Sequence, residues 1–193
     1  LLTGFSRNYL GVHTPQDVVV GMLESALWLF VAAKLLTWLD MHPEKEDIFL
    51  IVSFIVGWIG IVYITFKPYP MDYVDGKLLV DPQKMMNDGY GDICLLIAFP
   101  VARFIEKKLI RFESTGFKRT SLLVGIVGLV PLFLMIKLMK ATLDGLLGTH
   151  WGHFTYSFIV VLYCVALWPL VIKLTENRRR EKQGTATVKG IRS

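Results

Sequence analysis

Apolar residues in this chain do not alternate with polar ones; they run together in blocks separated by short charged segments. Five blocks approach the roughly 20 residues that a helix needs to cross the hydrocarbon core of a bilayer. Val18–Trp38 is broken only by Glu24 and Lys34, and Ile48–Phe66 carries no charge at all. Asp92–Ile110 has a shorter apolar centre, Ile93–Ala102, followed by Arg103 and Glu106. Ser121–Met139 is apolar up to Lys137 and contains Pro131, where a kink is expected. Phe154–Leu174 is apolar up to Lys173, with Trp168 and Pro169 near its end. Lipid offers no partner to an unpaired backbone group, so all five blocks are expected to be helices. The expected fold class is all-α, a polytopic transmembrane helical bundle with about five spanning helices.

Composition agrees with this pattern. Of 193 residues, 53% are hydrophobic and 19% charged, with a mean hydropathy of +0.50. That excludes a soluble globular enzyme, a disulfide-stapled secreted module and a disordered tail. Cys94 and Cys164 lie inside apolar runs at no metal-ligand spacing, so they are expected to pack as small hydrophobes. The pI near 9.2 could point to nucleic acid, but in a membrane protein basic residues mark cytoplasmic loops. No nucleic-acid partner is expected. With five crossings, one side of the membrane holds fifteen Lys and Arg residues and the other six. The richer side carries the segment between the third and fourth helices and the tail from Lys173 to Arg192. It is expected to be cytoplasmic, which puts residues 1–16 and the turn-rich loop Lys67–Gly91 outside. The basic tail after Glu176 is expected to be drawn to anionic headgroups.

The segment Ser6-Arg7-Asn8-Tyr9-Leu10-Gly11-Val12-His13-Thr14-Pro15-Gln16-Asp17 holds the candidate chemistry. Thr14 suits an N-cap, Pro15 the first helical position and Asp17 the acid of a capping box. His13 then stands just outside a helix N-terminus, where free N–H groups and the positive dipole end favour an anion. Gly11 allows the turn that would fold Arg7 over the same place, and an arginine fork matches phosphate oxygens. An imidazole, a carboxylate and a guanidinium at that point form a phosphoryl-transfer constellation: His attacks phosphorus and Asp holds the ring. The same residues read equally well as a cap, an interfacial anchor and an interfacial ring.

Ser6-Arg7, His13 and Asp17-Val18 with Gly21 resemble the third signature motif of the type 2 phosphatidic acid phosphatase superfamily. Tyr9 to Asp17 also resembles its bacterial membrane members. The resemblance implies that His13 is the nucleophile that becomes a phosphohistidine, Asp17 its orienting carboxylate, Arg7 a phosphate clamp and Ser6 a lesser phosphate contact. It further implies a lipid phosphate or prenyl diphosphate substrate reached from the outer leaflet of a bacterial plasma membrane, with no metal and no cofactor. The superfamily's first motif, a Lys and an Arg-Pro, and its second, Pro-Ser-Gly-His, do not occur here. Because both normally precede the third, the chain, which opens on Leu1, is expected to be a C-terminal portion, inactive alone. Residues 1–40 would close the phosphatase core, 41–175 would add further transmembrane helices and 176–193 would form a basic cytoplasmic tail. The alternative is a non-catalytic, transporter-like or lipid-binding scaffold that keeps a vestigial motif.

Other polar positions receive structural readings. Glu24, seven residues after Asp17, would be a hydrogen-bonded acid or the polar floor beneath the site. His150 and His153 would join an interfacial aromatic belt with Trp151, Phe154 and Tyr156 rather than ligate a metal. Asp88 and Asp92 would cap the third helix, and Lys137 and Lys173 would snorkel.

Overall fold

The computed structural model describes residues 6, 9, 14–71, 73–74, 76–78, 81–112 and 119–178. They fall into two compact units, Leu1–Asp47 and Ile48–Ser193. Among the described residues the chain forms five long helices and one minimal hairpin.

The first unit is built on α1, Pro15–Met41. Its start follows the expectation from sequence. Thr14 is extended at the N-cap, its hydroxyl accepts from the Asp17 amide at 3.2 Å, and Asp17 Oδ2 accepts from the Thr14 amide at 3.0 Å. Two of the donors that a helix start leaves unpaired are thereby satisfied. At the other end the His42 amide donates to the Leu39 carbonyl. The His42 ring stacks on Trp38 at 4.8 Å and gives its Nδ1–H to the Trp38 carbonyl. Pro43 then forbids a further turn of α-helix and opens a short 3-10 turn, Pro43–Lys45. Along α1 only Leu39 is buried.

The second unit is a bundle of four helices. α2, Glu46–Phe66, is apolar throughout its length beyond the first turn. A hairpin follows, β1 (Tyr73–Val74) and β2 (Lys77–Leu78), paired Tyr73 to Leu78 and Val74 to Lys77. Gly76 takes the positive φ of 74° that its turn requires. α3 spans Pro82–Ile105 and runs on through a π-helical turn, Glu106–Ile110. α4 covers Arg119–Leu147 with Pro131 in its interior. α5 begins at Thr149 and continues to Arg178, with a π-helical turn at Tyr163–Leu167.

Contacts at several levels fix the helix directions. Thr65 near the end of α2 meets Tyr90 near the start of α3, while Gly57 and Gly60 lie against Ile97 and Ile93, so these helices are antiparallel. His150 at the start of α5 bonds Gln83 and Asn87, and Lys173 near its end bonds the carbonyls of Ile110 and Arg111. α3 and α5 are therefore parallel. α4 returns antiparallel against α5, with Gly128 against Tyr163 and Trp168 and Asp144 against Gly152. One core cluster consists of Ile61, Ile64 and Tyr90, with Tyr69, Met86, Ile93 and Phe154 packed on it, and Cys94, Ile97, Ala98 and Ala102 are buried further along α3.

Four helices, α1, α2, α4 and α5, are long and apolar enough to cross a membrane. α3 does not reach that composition, although it packs against α2 and α5. It also starts ten residues earlier than its apolar block. Asp81 is the reason: its carboxylate accepts from the Gln83 amide at 2.9 Å, and Pro82 is pre-set for the first helical position. Asp88 and Asp92 consequently lie inside α3 as exposed residues instead of capping it.

Candidate functional site

The motif segment is partly described. Thr14 and Asp17 stand in the capping box, and both are exposed; Ser6 and Tyr9 are also exposed and helical. Arg7 and His13, the expected phosphate clamp and nucleophile, lie outside the described residues. The structure thus establishes the helix start on which the constellation would be built. A carboxylate offers about four acceptor positions, so the bond to the Thr14 amide does not exhaust Asp17. Glu24, two turns further along α1, is exposed.

A second polar cluster occupies the end of the bundle where α3 and α5 begin. Gln83, Asn87 and Tyr90 recur at helical spacing on one face of α3 and meet His150. His150 Nδ1–H donates to Asn87 Oδ1 at 2.5 Å, and its Nε2 accepts from Gln83 Nε2 at 3.0 Å. The Tyr90 ring stacks on the imidazole at 5.2 Å, and its hydroxyl shares a 2.7 Å hydrogen bond with Thr65. Asn87 is buried, so this lattice supplies the partner that its amide oxygen needs. Tyr69 adds a hydroxyl donated to the Ile64 carbonyl at 2.9 Å. Burial, with Tyr90 and Tyr63 as lesser contributors, pushes the Tyr69 phenol above its ordinary pKa and keeps it a donor.

One helical turn on, His153 Nδ1–H is shared between the Thr149 carbonyl at 2.9 Å and Asp144 Oδ1 at 3.2 Å. The bridge needs the close approach of α4 and α5. A Cβ on Gly152 would stand only 2.6 Å from Asp144 Cα and 2.7 Å from its amide nitrogen, so no larger residue fits. Gly148, at φ 80°, turns the chain between the two helices. Both imidazoles present an Nδ1–H to oxygen acceptors in this pattern of partners. Among the described residues no group of three or more His, Cys, Asp or Glu side chains is placed to hold a metal.

Sequence reading put His150 and His153 in an aromatic belt. Part of that belt exists: Trp151 makes edge contacts with Tyr90 and Phe154 and a tilted one with Trp58. The histidines themselves point into the helix contacts. The readable signal was the spacing of Gln83, Asn87 and Tyr90, which marks one polar face on a helix that hydropathy alone starts at Asp92.

At the opposite end, Lys173 does not snorkel. Its ammonium donates to the Ile110 carbonyl at 2.5 Å and to that of Arg111 at 3.3 Å, supplying the C-terminal cap of α3. Arg111 is left-handed, with φ 51°, and the following amide, Phe112 N–H, donates to Glu106 Oε1 at 3.0 Å. α3 and α5 finish at this end with Lys107, Lys108, Arg111, Lys173 and Arg178 beside Glu106 and Glu176, and α2 starts at the same end with Glu46 and Asp47. Charges are near balance at the other end, where Lys67, Lys84 and Lys140 stand against Asp81, Asp88, Asp92 and Asp144.

Set against known proteins, the chain matches no protein-family model, no curated protein and no solved structure.

Proposed function

We propose that this chain is part of a membrane phosphatase that hydrolyses a lipid phosphate or prenyl diphosphate at the start of α1. The observation that carries the reading is the Thr14–Asp17 capping box at the head of a helix apolar enough to span a membrane. It puts an Asp17 carboxylate at the positive end of the helix, four residues after His13 and ten after Arg7 in the sequence. In this reading His13 attacks phosphorus in line, Arg7 and Ser6 hold the phosphoryl oxygens, and Asp17 keeps the ring in its attacking tautomer. Water then cleaves the phosphohistidine. In this reading the excess of Lys and Arg on one side supports a site outside the cytoplasm with the C-terminal tail inside, and the resemblance implies a bacterial plasma membrane.

Inorganic phosphate released from phosphatidic acid and from a prenyl diphosphate tests the proposal. The protein is assayed in detergent with a metal chelator, both as this chain and joined to any segment that precedes Leu1. Release is expected from the longer form and is lost in His13→Ala. Undiminished release in that variant overturns the assignment.

A non-catalytic scaffold is the second reading. One observation favours it: the capping box accounts for Thr14 and Asp17 without any substrate. Failure of both forms to release phosphate selects it.

A further inference from the structure

We infer that the chain pairs with a second copy of itself within the membrane, Glu24 on α1 of each copy meeting Lys137 on α4 of the other. The inference does not rest on the phosphatase reading. α1 and α4 are both long and apolar enough to cross a membrane, and Glu24 and Lys137 stand inside their apolar runs. Both side chains are exposed. Among the described residues no hydrogen bond or ion pair engages Glu24, and Lys137 touches only the Phe133 ring, 5.2 Å from its centre. Lys34, the other charge within the run of α1, is ten residues further along, with its ammonium over the Phe30 ring. A lysine can carry its charge to the membrane boundary on a long stem. Glutamate has no such reach, so its carboxyl group is costly to leave in lipid, whether charged or merely unbonded.

The two groups stand at one level. α1 and α2, joined only by the turn Pro43–Lys45, carry the chain across and back, so α1 starts on the membrane face where α2 ends. α4 finishes on that same face, because it runs antiparallel to α5, which starts beside the start of α3. Glu24 is nine residues from the start of α1 and Lys137 ten from the end of α4, which puts them about 14 and 15 Å below that face. Gly21, one turn above Glu24, has no described atom within 4 Å of where a Cβ would stand. The Ser25 hydroxyl is folded back onto the Gly21 carbonyl at 2.7 Å. This part of α1 is therefore open and smooth enough for a neighbouring helix to approach closely. The charges select a second copy as that neighbour. Each copy brings one acid and one base at the same depth, so a two-fold pair satisfies both and leaves neither to lipid.

Energy transfer between whole chains carrying donor and acceptor dyes, in phosphatidylcholine vesicles at falling protein-to-lipid ratio, tests the inference. The native chain should associate. Glu24→Lys alone and Lys137→Glu alone should each weaken association by roughly tenfold or more, because like charges then face each other. An equal mixture of the two variants should return to within about threefold of the native value, since every contact in the mixed pair again sets an acid against a base. A pair formed within one chain cannot be restored by mixing. Gly21→Leu should weaken association several-fold, whereas Ala33→Leu, on the side of α1 opposite Glu24, should keep it. A native chain that stays monomeric overturns the inference. So does association unchanged in either charge reversal, or a mixture that does no better than its components. If a reversal proves to lose its helical thermal transition, Glu24→Ala and Lys137→Ala decide in its place: both should weaken association while the transition is kept, and undiminished association overturns the inference.

Discussion

Along α1 the apolar side chains Leu27, Leu29 and Phe30 are more than half exposed, whereas α3, the helix with the weaker apolar composition, buries Tyr90, Cys94, Ile97, Ala98 and Ala102. The two are similar in length, with 27 and 24 residues. The difference lies in what each helix can leave to lipid. Lipid accepts Leu and Phe without cost, so a helix such as α1 gains nothing from lipid by hiding them. Asn87 and Arg103 are another matter, since a polar group facing hydrocarbon costs about 2.5–3.5 kcal/mol or more at mid-membrane for a charge. α3 places both in protein surroundings, Asn87 against His150 and Arg103 almost fully buried. A low apolar content on a helix within a membrane bundle is therefore a mark of interior position.

A matched pair of substitutions measures this contrast most strongly. Ala102 on α3 is fully buried, and Ala32 on α1 is exposed. Ala102→Leu forces three extra carbons into packed surroundings and should destabilise the bundle by about 3 kcal/mol. Ala32→Leu should leave stability within about 0.5 kcal/mol. Unfolding in mixed detergent, followed by helical circular dichroism, reads both. Equal effects would mean that α3 is not the interior helix.

Much of this fold was legible beforehand, for identifiable reasons. Thr14, Pro15 and Asp17 act over four consecutive residues, so local rules predicted the start of α1 to the residue. The apolar runs gave the existence of α2, α4 and α5, because lipid imposes one backbone solution on them. The start of α3 was missed because hydropathy weighs Gln83, Asn87 and Asp88 as loop, while the Asp81-Pro82 cap and the partner His150, 63 residues away from Asn87, make them helix. Lys173 was misread for the same cause: its acceptors lie 62 and 63 residues away, and nothing within its own helix announces them. Of the motif site, the cap was legible; the meeting of Arg7, His13 and Asp17 depends on geometry that spacing does not encode.

The next effect in size probes the polar face that keeps α3 inside. His150→Leu retains bulk but removes the acceptor for Gln83 and the donor for Asn87. Asn87 is buried and would be left with an unpaired amide oxygen, so a loss of about 2 kcal/mol is expected. The stacking with Tyr90 goes as well, which should alter near-ultraviolet circular dichroism. Asn87→Leu combined with His150→Leu should recover part of the loss, because removing both partners leaves no orphan. If the double variant is no better than the single, Asn87 is satisfied elsewhere and the lattice is not what holds α3 to α5.

The smallest expected effect bears on α1. Leu29 is 72% exposed, and truncating it removes contacts with solvent or lipid rather than with protein. A buried Leu→Ala change costs about 2–5 kcal/mol through lost transfer energy and the cavity left behind. Neither term applies to a side chain that touches little of the fold, so Leu29→Ala should shift the unfolding midpoint by less than about 0.5 kcal/mol. The same substitution at Leu39, the buried residue of that helix, should exceed it several-fold. A large loss at Leu29 would show that protein, not lipid, covers this face of α1, and the contrast with α3 would then reduce to one of partners rather than of environment.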